Sequence, residues 1–309
     1  MILCCGEALI DMLPRRTMAR ERAFVPTPGG AVFNTAIALA RLGVPTGFFS
    51  RLSSDMFGGM LRDALAAAGV DTGLALTCDS PTTLAFVQLE NGEARYSFHD
   101  ENTAGRLLST AELPALPDNV DALFFGGLSL MTEPCGAAYE TLMARESAAR
   151  VTMIDPNIRP AHIEDEATYR ARLGRLFALA DIVKLSDADL RWIEGDGDIS
   201  DLAHGLLARG PSLVFVTEGA RGARVLGAGE ELFLPAPRAE VVDTIGAGDT
   251  FNAGVLAALH AEGRLNKSAL AGIGKDAMAM ATALALGIRA AAVTVSRAGA
   301  NPPMAEDLA

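Results

Sequence analysis

The side chains best suited to chemistry lie in short segments that follow apolar runs. The most informative is Val242-Asp243-Thr244-Ile245-Gly246-Ala247-Gly248-Asp249-Thr250-Phe251. Gly246, Ala247 and Gly248 put small residues at the start of an Ala-rich helical stretch. Unpaired N–H groups and the positive end of the helix dipole favour an anion there. An acid in the same turn would repel a resident phosphate, yet it suits a phosphoryl group in transit. The N–H groups stabilise charge building on that group, while Asp249 accepts the proton of an attacking hydroxyl. The plainer alternative is an Asp that caps a helix and glycines that make a tight turn. The ten residues together favour catalysis.

A second segment, Gly29-Gly30-Ala31-Val32-Phe33-Asn34, joins a diglycine to a helix start. The glycines allow a close approach of backbone to ligand, and the Asn34 amide could bond a polyol. Asp11, read as the end of the first strand at the same sheet edge, could accept from two vicinal hydroxyls. A third, Asp155-Pro156-Asn157-Ile158-Arg159-Pro160, supplies Arg159 as a fixed cation of the kind a transferring phosphate needs. Val183–Asp189 and Thr217–Ala223 also follow strands, and the glycines of the latter suit close approach by a nucleotide. Neither GxxxxGK[ST] nor GxGxxG occurs, so the phosphate device is not a Walker A loop and a dinucleotide fingerprint is missing.

The elements that must position these segments alternate. Strands are expected over residues 2–10, 46–51, 122–125, 151–154, 182–185 and 213–217, and helices over 31–42, 57–68, 135–149, 169–180, 202–208, 250–261 and 267–286. Gly43 and Gly69 stop the first two helices. Repeated β-then-α order implies an α/β fold with a mostly parallel central sheet and helices on both faces. Its ligands then bind at the carboxyl ends of the strands. Residues 12–28 and 82–98 break the rhythm. The latter alternate apolar and polar around Asn91-Gly92, a hairpin signal. The two stretches are expected to form a small β lid inserted in a single domain spanning 1–309.

Composition sets the outer limits. The chain has 309 residues, with 26 Lys and Arg against 38 Asp and Glu, a net charge of −12. That argues against a nucleic-acid backbone as partner, though a local nest still suits a small anion. Four cysteines without CxxC spacing, and four histidines without HExxH, disfavour zinc and point to a reducing compartment. The N-terminus MILCCGEALID does not read as a signal peptide. The Ala-rich stretch 277–295 reads as a buried helix running into a strand rather than a membrane span.

With these motifs in place, the chain resembles the ribokinase-like (PfkB) sugar kinase family over essentially its whole length. DTIGAGD (243–249) matches the family's C-terminal signature and GGAVFNTA (29–36) its N-terminal one. Within the family, GEALIDMLP, DPNIRP and SRAGANPP (296–303) look like the bacterial fructokinases. The resemblance implies ATP-dependent phosphorylation of a free sugar at a primary hydroxyl, with D-fructose converted to fructose 6-phosphate. Asp249 would be the base, residues 246–248 the anion hole and Arg159 a further catalytic cation. Asp11, Gly29, Gly30, Asn34, Phe98 and Asn157 would meet the sugar. Lys184, Ser186, Thr217, Gly219 and Gly222 would meet ATP. Asp243, Ile245, Arg297 and Gly299 match where relatives hold potassium. The family's Asn-x-x-Glu, linked to magnesium, is Ser186-Asp187-Ala188-Asp189 here, leaving Asp189 to act on Mg²⁺ through water. A cytoplasmic homodimer joined through the lid is implied, with no membrane partner. The alternatives are a 2-keto-3-deoxygluconate kinase, for which Arg95 and Arg106 would supply cations, a ribokinase, and a non-catalytic sugar or nucleotide sensor.

Overall fold

The structure, a computed structural model, describes residues 1–90 and 93–308, and the side chains of residues 88–95 fall outside that description. The expected Asn91-Gly92 turn and the Arg95 side chain therefore lie outside the described residues.

The chain opens with a fully buried strand, β1 (Ile2–Cys5). Gly6 then brings the backbone against the next helix, since a Cβ there would lie 2.5 Å from Val32 Cγ2. The single strand expected over 2–10 is thus two. The second, β2 (Leu9–Arg16), leaves the core and pairs antiparallel with β3 (Arg22–Gly29). Asp11 accordingly sits on a lid strand and not at the end of the first core strand. Helix α1 (Ala31–Arg41) is stopped at Gly43, whose φ of +80° suits glycine. The strand expected over 46–51 divides into β4 (Thr46–Phe49) and β5 (Arg51–Ser53). Asp55 caps α2 (Met56–Ala67), and β6 (Leu76–Cys78) pairs with β5 in a small ribbon.

Strands β7 (Leu84–Glu90) and β8 (Glu93–His99) complete the lid, a four-stranded sheet in the order β3-β2-β7-β8. Both lid segments begin or end beyond the expected 12–28 and 82–98. The βα rhythm then resumes with β9 (Ala122–Gly126), α3 (Cys135–Glu146), β10 (Val151–Asp155), α4 (Glu166–Leu179) and β11 (Ile182–Ser186). Ser186 and Asp189 form a capping box that starts α5 (Asp187–Glu194), a helix the sequence pattern missed. After α6 (Ile199–Leu207) and β12 (Leu213–Thr217), an unanticipated antiparallel hairpin, β13 (Gly222–Gly227) and β14 (Glu230–Pro235), extends the sheet.

The last helices are α7 (Ala247–Ala261), α8 (Lys267–Leu270) and α9 (Ala277–Val295). The helix expected over 267–286 is broken after Leu270, because Gly274 packs against Ala228 N and Asp276 caps a new helix by accepting from Ala279 N at 3.1 Å. That helix runs unbroken to Val295, with no strand at its end. It is long and apolar enough to cross a membrane by composition, but it packs on α7, where Gly254 and Gly287 allow close approach.

The central sheet has eight strands in the order β14-β13-β12-β11-β10-β9-β1-β4, and the run from β12 to β4 is parallel. Successive side chains of β1 face opposite layers. Ile2 and Cys4 join the core under α1, α2, α7 and α9, while Leu3 and Cys5 join that under α3, α4, α5 and α6. Each buried Phe, such as Phe125 or Phe251, contributes roughly 1.5–3 kcal/mol. The two layers fix the strand ends against which the lid closes.

Candidate active site

The site forms where the lid meets the start of α7. Gly246 ends the preceding loop in the left-handed conformation, φ +77°, and a Cβ there would lie 3.0 Å from Ala300 Cα. Only glycine makes this turn without strain. The N–H groups of Ala247, Gly248 and Asp249 then have no partner inside the helix, and Ala247 turns back to Thr244 O at 3.3 Å. The Asp249 side chain does not cap the helix. It is 7% exposed, and its Oδ2 accepts from Asn34 Nδ2 at 2.9 Å, while Thr35 Oγ1 donates to its carbonyl at 3.2 Å. Burial pushes the Asp249 carboxyl up to about 7, against the Asn34 bond.

The lid supplies the other wall. Gly29 lies so close to Asp11 that a Cβ would come within 2.2 Å of Asp11 Oδ2. Gly30 adopts φ +111° beside Glu7 O. Burial raises the Asp11 carboxyl to about 6. Tyr96 and Phe98 stack with ring centroids 5.8 Å apart and planes within 11°. A cavity of about 800 Å³ lies between these walls. It brings Asp11, Gly30, Asn34 and Phe98 of the expected sugar contacts together with Gly246, Gly248 and Asp249.

The loop after β10 enters the same cavity. Asn157 has φ +43°, and its Oδ1 accepts from Arg159 Nη1 at 2.7 Å, so Asn157 orients the cation. Both line the cavity, as do Lys184, Asp243 and Ile245. Sequence reasoning missed four groups here: Glu7, Tyr96, Asp155 and Asn252. Glu7 accepts from Ala31 N at 3.0 Å and from Ser129 N at 3.3 Å, tying the diglycine turn to the loop after β9. Asp155 accepts from Lys184 Nζ at 2.9 Å and from Asn252 Nδ2 at 2.7 Å. A charge inside each of the apolar runs VTMID and IVKLS was the available signal, because a buried charge needs a partner.

Of the expected nucleotide contacts Lys184 lines this cavity, while Ser186, Thr217, Gly219 and Gly222 fall outside it, at the carboxyl ends of β11 and β12. Ser186 and Thr217 are cross-strand neighbours there, and Thr217 Oγ1 donates to Leu185 O at 3.3 Å. Gly219 faces open space with φ +58°. Gly222 does not, since a Cβ there would lie 2.1 Å from Leu234 O. Its glycine is required by the β13–β14 hairpin. Asp189, expected at magnesium through water, has protein partners for both oxygens. Its Oδ1 accepts from Ile158 N at 2.9 Å, and its Oδ2 accepts from Ser186 N at 3.1 Å and Ser186 Oγ at 2.6 Å. Its oxygens brace the Arg159 loop against α5. Arg106 is bound to Asp100 and Glu164 and does not line the large cavity.

Asp243 joins two loops by accepting from Ile245 N and Gly299 N, each at 3.0 Å. The Arg297 side chain turns away to Asp307 at 3.0 Å, leaving only its carbonyl for an ion. Among the described residues no three His, Cys, Asp or Glu side chains converge as a metal cluster.

A parallel sheet with a β lid, and a buried carboxylate in the first turn of a helix that opens on a glycine nest, define a ribokinase-like sugar kinase. The chain belongs to the pfkB family carbohydrate kinases, whose profile it matches over residues 1–307. It is 50% identical over 278 residues to a fructokinase of Rhizobium leguminosarum bv. trifolii, covering 90% of this chain and 85% of the relative. The crystal structure of a fructokinase with bound ATP from Xylella fastidiosa superposes with a TM-score of 0.89 at 31% identity, covering 99% of this chain and 96% of that one. A fructokinase double mutant from Vibrio cholerae O395, in a form with fructose, ADP and potassium ion bound, gives a TM-score of 0.84 at 25% identity, over 97% and 93%.

Proposed function

We propose that this protein phosphorylates D-fructose at O6 with MgATP, through general-base catalysis by Asp249. The observation that carries the mechanism is the buried Asp249 carboxylate, held by Asn34 in the turn whose N–H groups open the anion nest. The choice of fructose rests on the 50% identity to a fructokinase. In the reaction the sugar O6 forms a bond to the γ-phosphorus, and the bond from that phosphorus to the β–γ bridging oxygen breaks, releasing ADP. Asp249 takes the hydroxyl proton. The nest of residues 246–248 and the Arg159 guanidinium balance the charge on the transferring group.

Asp11, Gly29, Gly30 and Asn34 hold the sugar hydroxyls, while Phe98, stacked on Tyr96, offers an apolar face. ATP spreads along the ends of β11 and β12 over Ser186, Thr217 and Gly219. The donor set fits this ligand, because Lys184, Arg159 and the helix start gather positive charge where the phosphates would lie. A bound magnesium ion would supply charge neutralisation at the β- and γ-phosphates. It would be held by the phosphate oxygens and by water, with Asp189 reaching it through water, as a hard cation that keeps its hydration can be. The carbonyls of Ile245, Arg297 and Gly299, with Asp243 bracing the loops, are the proposed potassium site. A second copy pairs through the lid, whose edge strand β3 exposes Phe24 and Val25. Buried free cysteines suit the reducing cytoplasm.

A coupled ADP-release assay with fructose, ribose, glucose, adenosine and 2-keto-3-deoxygluconate tests this reading. Turnover that prefers fructose and falls in Asp249→Asn is expected. Preference for the keto-acid moves the substrate and keeps the mechanism. ATP binding without turnover on any of the five marks a sensor.

A further inference from the structure

Strand β8 is an edge of the lid sheet, paired among the described residues with β7 on one side only. Side chains must fix its free side, because no backbone ladder does. Phe98 on this strand lines the large cavity and meets two rings. Tyr96 lies two residues back on the same strand face and moves with it. His162 belongs to the body of the protein, with its ring centroid 5.0 Å from that of Phe98 and the planes at 59°. The His162 ring is firmly placed. It closes a short turn, Pro160–His162, in which its N–H donates to Arg159 O at 2.8 Å. Ile158 and Ile163 on either side pack into the core under α3 and α4. His162 Nε2 lies 3.4 Å from Oδ2 of Asp100, the residue after the end of β8. Arg106 Nη1 donates to the other Asp100 oxygen at 3.2 Å, and its Nη2 donates to Glu164 at 2.8 Å. Ion pairs that reach solvent add little stability. The location of this cluster offers a different reason for it, since it fastens the free edge of the lid to the loop that carries Asn157 and Arg159.

We infer that His162 is a positioning residue for the sugar: its ring, tied to Asp100, holds Phe98 of the lid edge against the cavity, in register with Arg159. The inference rests on the kinase reading above and deepens it. His162 does not itself line the cavity, so it acts through Phe98 and touches no substrate. The ring does two things at once. Its face and edge pack on Phe98, an aromatic contact worth about two- to tenfold in an equilibrium. Its Nε2–H donates to a carboxylate, which as an ion can only accept. Asp100 is 4% exposed, and Arg106 holds it from the other side, so the carboxylate is a fixed anchor for the strand end. The wall that meets the apolar face of a sugar ring is thereby set from the same loop whose Asn157 and Arg159 meet its polar groups. A ligand with both kinds of surface gains from that alignment, and a nucleotide at the ends of β11 and β12 does not.

The test compares His162→Ala with His162→Phe, which keeps a ring and loses the bond to Asp100. Wild-type turnover of fructose is measured first, so a failure of the kinase reading appears there and not in the variants. His162→Ala should raise the KM for fructose about fivefold or more. The KM for ATP should stay within about twofold, and kcat within about threefold, because Arg159 keeps its bond to Asn157. His162→Phe should bring the KM for fructose back to within about threefold of wild type. A fructose KM unchanged in His162→Ala, or equally raised in both variants, would overturn the inference. A cycle with Phe98→Leu tests the route: the double variant should be no worse than the worse single one, and independent, multiplying losses would place the effect of His162 elsewhere and overturn it. Hydrogen exchange of residues 96–100 without ligand reads the tether apart from any activity. Exchange there should quicken in His162→Ala and stay near wild type in His162→Phe, and unchanged exchange in His162→Ala would overturn the inference. His162→Gln, which keeps a donor and no ring, takes the place of His162→Ala in each comparison if that variant does not fold.

Discussion

Replacing Asp249 by Asn should remove activity and yet make the ligand-free protein harder to unfold at neutral pH. Burial holds the Asp249 carboxyl at about 7, against 3.8 for a free aspartate. Between those values the folded chain keeps a proton that the unfolded chain has released. Stability from this group is therefore fully present below pH 4 and is lost as pH rises through 7. At 1.36 kcal/mol per unit, the loss reaches roughly 4 kcal/mol by pH 8. Asn is neutral throughout, and its Oδ1 can still accept the Asn34 bond that Asp249 Oδ2 accepts now. The variant should thus be more stable than wild type at pH 8 by up to about 4 kcal/mol, and the gap should close toward pH 4. Urea unfolding of the two proteins at pH 4.5, 6 and 8, followed through the single Trp192, measures the difference with other titrations cancelling. Its kcat should fall by about 10²–10⁴ in the same preparation. A variant less stable than wild type at pH 8, or one whose advantage does not change with pH, would refute the claim that a buried, costly carboxylate is the base.

Three further outcomes follow from the same geometry. The acid limb of kcat/KM for sugar should have its midpoint near pH 7, with about a tenth of the maximum left at pH 6, because the base must be ionised in the free enzyme; a limb near pH 4 would move the role elsewhere. Gly29→Ala places a Cβ 2.2 Å from Asp11 Oδ2, so the KM for fructose should rise at least about tenfold while that for ATP stays within about twofold; initial-rate kinetics decide. Gly222→Ala forces a side chain onto φ +133° and 2.1 Å from Leu234 O, which should cost about 2 kcal/mol or more in denaturant unfolding with the KM for ATP unchanged, as its structural role requires.

Much of this was legible in the sequence where local chemistry and periodicity agreed. The βα rhythm is written in apolar strands and Ala-rich helices, and Gly43 and Gly246 mark turns by their type. What was hidden depends on distant partners. Gly6 reads as an ordinary small residue in an apolar run until Val32 is packed against it, so the break between β1 and β2 and the transfer of Asp11 to the lid could not be seen. The hairpin of β13 and β14 carries weak alternation and is set by closure of the sheet edge. Asp189 stands in the sequence only as an acid after a strand, and its capping box and its bond to Ile158 N appear once the chain is folded. Asn34 stands in the sequence as a sugar contact, and its amide also holds a carboxylate 215 positions away.

These distant pairings share a physical logic. The chain is acidic overall, yet Lys184 and Arg159 line the same cavity as Asp11 and Asp249. Asp11 and Asp249 both sit well above the ordinary aspartate value because burial disfavours their charged forms. A sugar brings hydroxyls that donate to carboxylates, and a nucleotide brings oxygens that accept from Lys184, Arg159 and the nest. Each ligand thus supplies the half of the hydrogen bonding that the protein leaves unmade. Leaving it unmade costs folding free energy in the ligand-free state, which the two apolar layers around the parallel sheet offset. The same cost gives binding its direction, since only a ligand with hydroxyls at one end and phosphates at the other satisfies both walls at once.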